Sequence, residues 1–376
     1  MPISTEITET LREVGTDFFV TYPCVKFQSL YNLIQTSFLS IGITKEEEGV
    51  GICAGASLSG AKPAMLIQST GLGNMINALC SLTLTYQLPL LVLASWRGKF
   101  NETIPAQIKL GKSLPALLEA ISGPPVVIES RKDLPKIEIA AQKAFGLQTL
   151  QVVLLSPLLW ESDSKSQPPT NQKPVPPHSQ PTLELSPRTH GLLTRYEILK
   201  ASSLFLKNKF VVSNIGYPSR ELYQVCHQPT NFYMLGSLGL ASSIGLGIAI
   251  RTSKPVVVID GDGSLLSNLG SLATIAQVAP KRFTILAIDN GVHGSTGNQP
   301  TATSFDVDLA ETAKGLGFQQ VYRGSTAAGL RKIFKDLGSG PHFIHIPAKP
   351  GNADVPVIPL TPLEIKQQFM NMIQVS

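Results

Sequence analysis

The strongest constraint on the fold is a pair of apolar, β-branched runs that end alike. Residues 255–260 run straight into Gly261-Asp262-Gly263-Ser264, and residues 283–289 end at Asn290, 28 positions after Asp262. Two such runs joined by a helix-like stretch read as parallel strands of a βαβ unit. Asp262 and Asn290 then both lie at carboxyl ends of strands, where open α/β sheets bind their ligands. A lone Gly-Asp-Gly is commonly no more than a tight turn, but the Asp-to-Asn spacing with a strand before each makes the signal specific. A carboxylate, an amide oxygen and glycine-rich backbone suit Mg²⁺ with a diphosphate, because hard cations take oxygen ligands and keep phosphate oxygens in their shell.

The same alternation of strand-like runs and helical patterns fills the chain on both sides of a break in composition. Before the break, strand-like runs cover residues 18–22, 64–68, 88–94, 125–128 and 150–155; after it they cover 210–212, the two runs above and 343–346. Alternation of this kind implies parallel sheets with helices on both faces. The break itself, residues 161–188, is rich in Pro, Ser, Gln and Thr and reads as a flexible linker. The expected organisation is therefore two similar α/β domains, 1–160 and 189–376, and 376 residues suffice for two of ordinary size.

Composition narrows the partners. The chain is 43% hydrophobic and only 15% charged, with a net charge of +5 and no dense Lys/Arg block, so it reads as globular and nucleic acid is not an expected partner. Four cysteines (Cys24, Cys53, Cys80, Cys226) form no CxxC pair, which fits a reducing cytoplasm and argues against a zinc knuckle. The N-terminus lacks the pattern of a signal peptide, and apolar stretches are interrupted before they could span a bilayer, so neither export nor a membrane is expected.

The Gly261–Asn290 pattern resembles the signature of the thiamine-diphosphate (TPP) enzymes. That resemblance implies a pyrimidine-binding (PYR) domain at 1–160 and a diphosphate-binding (PP) domain at 189–376. It implies TPP and Mg²⁺ as cofactors, with Asp262, Asn290 and the Val292 carbonyl as metal ligands and Gly261, Gly263 and Ser264 at the diphosphate. It also implies a site between PYR and PP domains of different chains, hence a homodimer or homotetramer. The family's activating Glu protonates the pyrimidine ring and must be buried to work near neutral pH. Glu46, Glu47 and Glu48 all precede the small-residue helix at 49–56, where carboxylates are also common as simple dipole partners. In the family the activating Glu lies nine residues before a glycine of this helix, with a Gly-Lys-like turn beyond; by that resemblance Gly55 and Lys62-Pro63 select Glu46, with Glu47 as the rival.

By the same resemblance, Leu238 is the apolar wedge under the cofactor, Gly236 supplies a carbonyl to its amino group, and Ser237 completes that cofactor-binding turn. Residues 68–74, with Gly71 and Asn74, close a strand, open a helix and belong to the cofactor site. His293, one residue beyond the presumed metal loop, is a candidate for proton transfer or anion binding. Residues 22–24, 46–56, 68–74, 95–98, 219–222, 236–238 and 289–297 look most like one branch of the family, the sulfopyruvate and phosphonopyruvate decarboxylases, and closer to the former. Sulfopyruvate decarboxylase often occurs as separate α and β subunits, and this chain looks like the two joined. The implied reaction is decarboxylation of 3-sulfopyruvate to 2-sulfoacetaldehyde and CO₂, in coenzyme M biosynthesis or sulfolactate breakdown. Arg97, Arg220 and Cys24 are candidates for meeting the anionic group of a small 2-oxoacid, and phosphonopyruvate is the alternative substrate.

Overall fold

The computed structural model describes residues 1–160 and 192–374, and the chain divides into two compact units, Met1–Val175 and Pro176–Ser376. The expected linker at 161–188 lies outside the described residues. Among the described residues the first unit contains six strands, β1 (Phe18–Thr21), β2 (Leu39–Gly42), β3 (Pro63–Gln68), β4 (Leu90–Ser95), β5 (Val126–Ile128) and β6 (Leu150–Leu155). They form one parallel sheet in the order β2-β1-β3-β4-β6-β5. The second unit contains β7 (Phe210–Ser213), β8 (Asn231–Tyr233), β9 (Val256–Gly261), β10 (Phe283–Asp289), the short pair β11 (Val292–His293) and β12 (Gln299–Pro300), then β13 (Gln320–Arg323) and β14 (His342–Pro347). Its main sheet, also parallel, runs β13-β14-β10-β9-β7-β8. Numbered within each unit and read from the same edge, both sheets follow the order 2-1-3-4-6-5.

Central strands of both sheets are apolar without alternation because helices cover both faces. All six residues of β4 and of β6, and all seven of β10, are buried. The runs that mark strands in the sequence are these buried ones. Three strands of the two main sheets, and the short β11–β12 pair, were not expected. In β2 only Ile41 is buried, β8 is three residues long, and β13 is half-buried throughout.

In each unit the helix that follows the second strand presses a glycine onto the sheet. A Cβ on Gly49, in the helix Glu46–Leu58, would lie 2.5 Å from the Met65 Cε and 2.9 Å from Val20 Cγ1. A Cβ on Gly245, in the helix Ala241–Ala249, would collide with Val258 Cγ2. Glycine weakens a helix by about 1 kcal/mol relative to alanine. The close helix–sheet approach it permits brings the start of each helix to the carboxyl ends of the strands. The connection between β9 and β10 is two helices, Asp262–Ser267 and Gly270–Val278, where one was expected.

Candidate active site

The three consecutive glutamates form the first turn of the helix Glu46–Leu58 and do not precede it, and helical rotation sends each to a different place. Glu47 is half-exposed and pairs with Lys45 at 3.0 Å. Glu48 is fully buried and caps its own helix, accepting from the Thr44 N–H at 3.0 Å and the Thr44 hydroxyl at 2.8 Å. Glu46, 7% exposed, meets the segment after β3: its Oε2 accepts from Asn74 Nδ2 at 3.0 Å. Its carboxylate and stem lie so close to the Gly71 Cα that any Cβ there would overlap them. Gly71, Asn74 and Glu46 therefore come together.

The same segment also meets Arg97, just past the end of β4. The Arg97 backbone N–H donates to Ser69 Oγ at 2.9 Å and its Nη1 to Gln68 Oε1 at 3.2 Å. The Cys24 thiol reaches that same Gln68 oxygen at 3.5 Å. A partner the sequence did not reveal is Glu102, which accepts from Arg97 Nε at 2.6 Å with both side chains buried. The guanidinium bond holds the Glu102 carboxyl down at about 2 and raises the Arg97 pKa in turn. Arg97 is thus one half of an internal ion pair, not an open fork.

In the second unit the winding direction changes between β7 and β9, the switch point at which open α/β sheets leave a crevice. A cavity of about 470 Å³ opens there, and Gly263, Ser264, Asn290, Val292 and His293 line it. Gly261 is the last residue of β9 and Asp262 opens the next helix. Asp262 is buried and its Oδ2 lies within hydrogen-bond reach of the hydroxyls of Thr301 and Thr303. Asn290 follows β10 and its Oδ1 accepts from the Val292 N–H at 3.3 Å. The exposed His293 lies in the β11–β12 ribbon, and its ring rests on Gly263, where a Cβ would fall 2.5 Å from Cε1.

The 236–239 turn forms another part of this wall. Ser237 takes a left-handed backbone (φ 59°) and is buried, while Leu238 is 48% exposed and lines the cavity. The next residue, Gly239, donates its N–H to Ser264 Oγ at 3.1 Å, which ties the turn to the Asp262 helix. Arg220 also lines the cavity, with its guanidinium 5.3 Å from the centre of the Tyr217 ring. Gly236 sits in the turn between Leu235 and Ser237 and is half-buried. Sequence reasoning missed Arg195, which forms a buried two-bond pair with Glu221 (both 2.9 Å) and donates to Asn352 Oδ1 at 2.8 Å. Asn352 in turn donates to the Gly294 carbonyl at 2.8 Å. These residues are far apart in the chain, so no local signal links them.

The donor set fits a hard cation beside a diphosphate. Burial pushes the Asp262 carboxyl above its ordinary value, and among the described residues no cationic side chain is bonded to it. A divalent cation is the counter-charge such a carboxylate lacks. No cluster of three His, Cys, Asp or Glu suited to a metal occurs among the described residues. A cation here would rest on one carboxylate with amide and backbone oxygens, the arrangement expected where phosphate oxygens complete the shell. Asp260, buried two residues earlier, is pushed up to about 7 by desolvation.

Residues 214–346 match the family described as thiamine pyrophosphate enzyme, C-terminal TPP binding domain. The match takes in β9, β10 and the Asp262 and Asn290 segments. The sulfopyruvate decarboxylase of Methanosarcina acetivorans is 40% identical over 99% of this chain and 97% of its own length. The phosphonopyruvate decarboxylase of Streptomyces viridochromogenes is 33% identical over 97% of this chain and 93% of its own. The chain belongs to the family of thiamine-pyrophosphate-dependent decarboxylases that contains these two enzymes. A thiamine diphosphate-dependent 4-hydroxybenzoylformate decarboxylase of Rhodococcus jostii shares the fold, with a TM-score of 0.71 at 12% identity over 94% of this chain and 100% of that one. No helix among the described residues is long and apolar enough to cross a membrane.

Proposed function

We propose that this protein decarboxylates 3-sulfopyruvate to 2-sulfoacetaldehyde and CO₂, with thiamine diphosphate and Mg²⁺ as cofactors. The observation that carries this reading is the 40% identity to a sulfopyruvate decarboxylase across 99% of the chain, against 33% for a phosphonopyruvate decarboxylase. Bound thiamine diphosphate supplies the electron sink for the pair left when CO₂ departs. Asp262, Asn290 and the Val292 carbonyl hold the cation, which neutralises the diphosphate. Gly261, Gly263 and Ser264 receive that diphosphate, and Leu238 supports the cofactor from the turn that also carries Gly236 and Ser237. Glu46 holds the proton exchanged with the pyrimidine nitrogen. Its burial and its single hydrogen bond from Asn74 support that role over Glu47, which is tied to Lys45 near the surface.

On the substrate side, His293 moves a proton at its exposed ring and Arg220 meets the anionic group; Arg97 and Cys24, which share the Gln68 oxygen, are the further candidates, with the charge of Arg97 offset by Glu102. The PYR and PP roles fall to residues 1–160 and 189–376. By family resemblance the assembly is a homodimer or homotetramer, and the reducing-compartment cysteine pattern supports a cytoplasmic location. Steady-state decarboxylation of 3-sulfopyruvate, phosphonopyruvate and pyruvate tests the substrate. A kcat/KM preference for sulfopyruvate above about tenfold, roughly 1.4 kcal/mol of differential transition-state binding, is expected. A preference for phosphonopyruvate would overturn the substrate and keep the cofactor. Sedimentation tests the assembly: a fully active monomer would overturn it.

A further inference from the structure

The Asp262 carboxylate sits at the end of a chain of directional hydrogen bonds that reaches across the second unit. Arg323, paired with Asp308 at 2.9 Å and Glu311 at 3.0 Å, has its Nη1 3.4 Å from Nδ1 of the buried His345. A guanidinium only donates, so Nδ1 must accept, and in the neutral ring the proton then sits on Nε2. His345 Nε2 therefore donates to Asp289 Oδ2, 2.9 Å away. Asp289 Oδ1 accepts from the Gly291 N–H at 3.1 Å and from the Thr303 hydroxyl at 2.7 Å. Thr303 also lies 3.2 Å from Asp262 Oδ2 and 2.9 Å from the Thr301 hydroxyl.

A hydroxyl has one proton to give. Two carboxylates, Asp289 and Asp262, reach for that of Thr303, and the shorter contact is to Asp289. We propose that Asp289, fixed as an acceptor by His345, draws the Thr303 proton away from Asp262 and so keeps the Asp262 carboxylate for a divalent cation. Asp289 and His345 are then positioning residues for a metal ligand that they do not replace. Thr301 remains a hydrogen-bond donor to Asp262 Oδ2. The argument rests on the proposed cation role of Asp262 but assigns residues which that role does not require. Outer-shell partners of this kind are typically worth ten- to a hundredfold in metal affinity.

The test is calorimetric titration of the full-length protein with thiamine diphosphate at varied Mg²⁺, which reads cation demand without turnover. In Asp289→Asn, an amide oxygen that meets the His345 Nε2–H leaves the amide N–H₂ facing Thr303, at the cost of the bond from the Gly291 N–H. Thr303 must then donate to Asp262. The Mg²⁺ concentration for half-maximal binding is expected to rise at least about tenfold, with thiamine diphosphate affinity at saturating Mg²⁺ changed far less. Thr303→Val removes the contested proton altogether, so alone it is expected to stay within about twofold of the parent, and added to Asp289→Asn it is expected to bring the Mg²⁺ demand back toward the parent value. The inference is overturned if Asp289→Asn stays within about twofold of the parent, or if the double variant keeps the raised Mg²⁺ demand of Asp289→Asn. It is also overturned if Mg²⁺ demand and the melting temperature of the ligand-free protein change in proportion, which marks a purely structural role. Asp262→Ala separates the two readings: if it leaves Mg²⁺ demand unaltered, the cation role of Asp262 fails, whereas if it abolishes Mg²⁺-dependent binding, that role stands and the Asp289 and Thr303 variants decide the inference.

Discussion

The two units wind their strands in one order, 2-1-3-4-6-5, yet carry different chemistry at corresponding strand ends. After the third strand, the first unit has Ser69–Gly71, whose glycine is pressed against Glu46, and the second has Gly261-Asp262-Gly263. After the fourth, the first unit has Arg97, neutralised by Glu102, and the second has Asn290 and Val292 beside the cavity. After the second, the first unit leads to Glu46 and the second to the Leu238 turn. One sheet presents a buried acid and a self-compensated ion pair. The other presents an under-compensated carboxylate that fits a cation. The winding order decides where side chains can converge, and the residues at six strand ends decide what converges there.

The sharpest way to break this division of labour is to remove one acid from each unit. Glu46→Gln is expected to lower turnover by about 10³-fold while thiamine diphosphate still binds, measured by steady-state rates beside calorimetry. Asp262→Ala is expected to weaken Mg²⁺-dependent thiamine diphosphate binding by more than about 100-fold, read by the same calorimetry. If the two variants fail in the same way, the two units do not hold separate roles.

The paired glycines sharpen the comparison. Gly71→Ala forces a methyl into a buried carboxylate and its stem, and overpacking of that sort costs about 1–3 kcal/mol. Turnover is expected to fall about 10- to 100-fold with cofactor affinity retained. Gly263→Ala meets the exposed His293 ring, which can swing aside, so a loss under about tenfold in cofactor affinity is expected. A larger effect at position 263 than at 71 would reverse the ranking of the two contacts.

The smallest effect concerns the ion pair of the first unit. The Glu102 carboxyl is held at about 2, below its unfolded value near 4.3, so the pair stabilises the fold above about pH 4.3 and that contribution is lost as pH falls toward 2. Glu102→Gln is expected to cost about 1 kcal/mol at pH 7, with the difference from the parent shrinking between pH 4 and 2 in denaturant melts. A difference that does not change with pH would mean that the pair acts by shape alone.

What the sequence revealed follows burial. Strands β9 and β10 are covered on both faces and must be continuously apolar, so they and the loops they end in could be read directly. The edge strands β2 and β13 bury too little to leave a pattern, and β8 is too short. Among the glutamates, spacing favoured Glu46 but left Glu47 open, because a shift of one residue leaves the same composition. The first helical turn separates them, since 100° of rotation per residue puts one against Gly71 and the next beside Lys45. Partners such as Glu102 for Arg97, Glu221 for Arg195 and His345 for Asp289 are made by the fold, across loops or sheet neighbours, and carry no periodic signal.

The strand order has a consequence for synthesis. In each unit the strand made last is not an edge: β6 fills the slot between β4 and β5, and β14 the slot between β10 and β13. Until residues 150–155 emerge, β4 and β5 each lack a neighbour, and the same vacancy recurs in the second unit until residues 342–347 arrive. Bare parallel edges of this apolar character are templates for unwanted pairing. A chain stopped just short of either strand presents two such edges at once, and pairing of the last strand closes both.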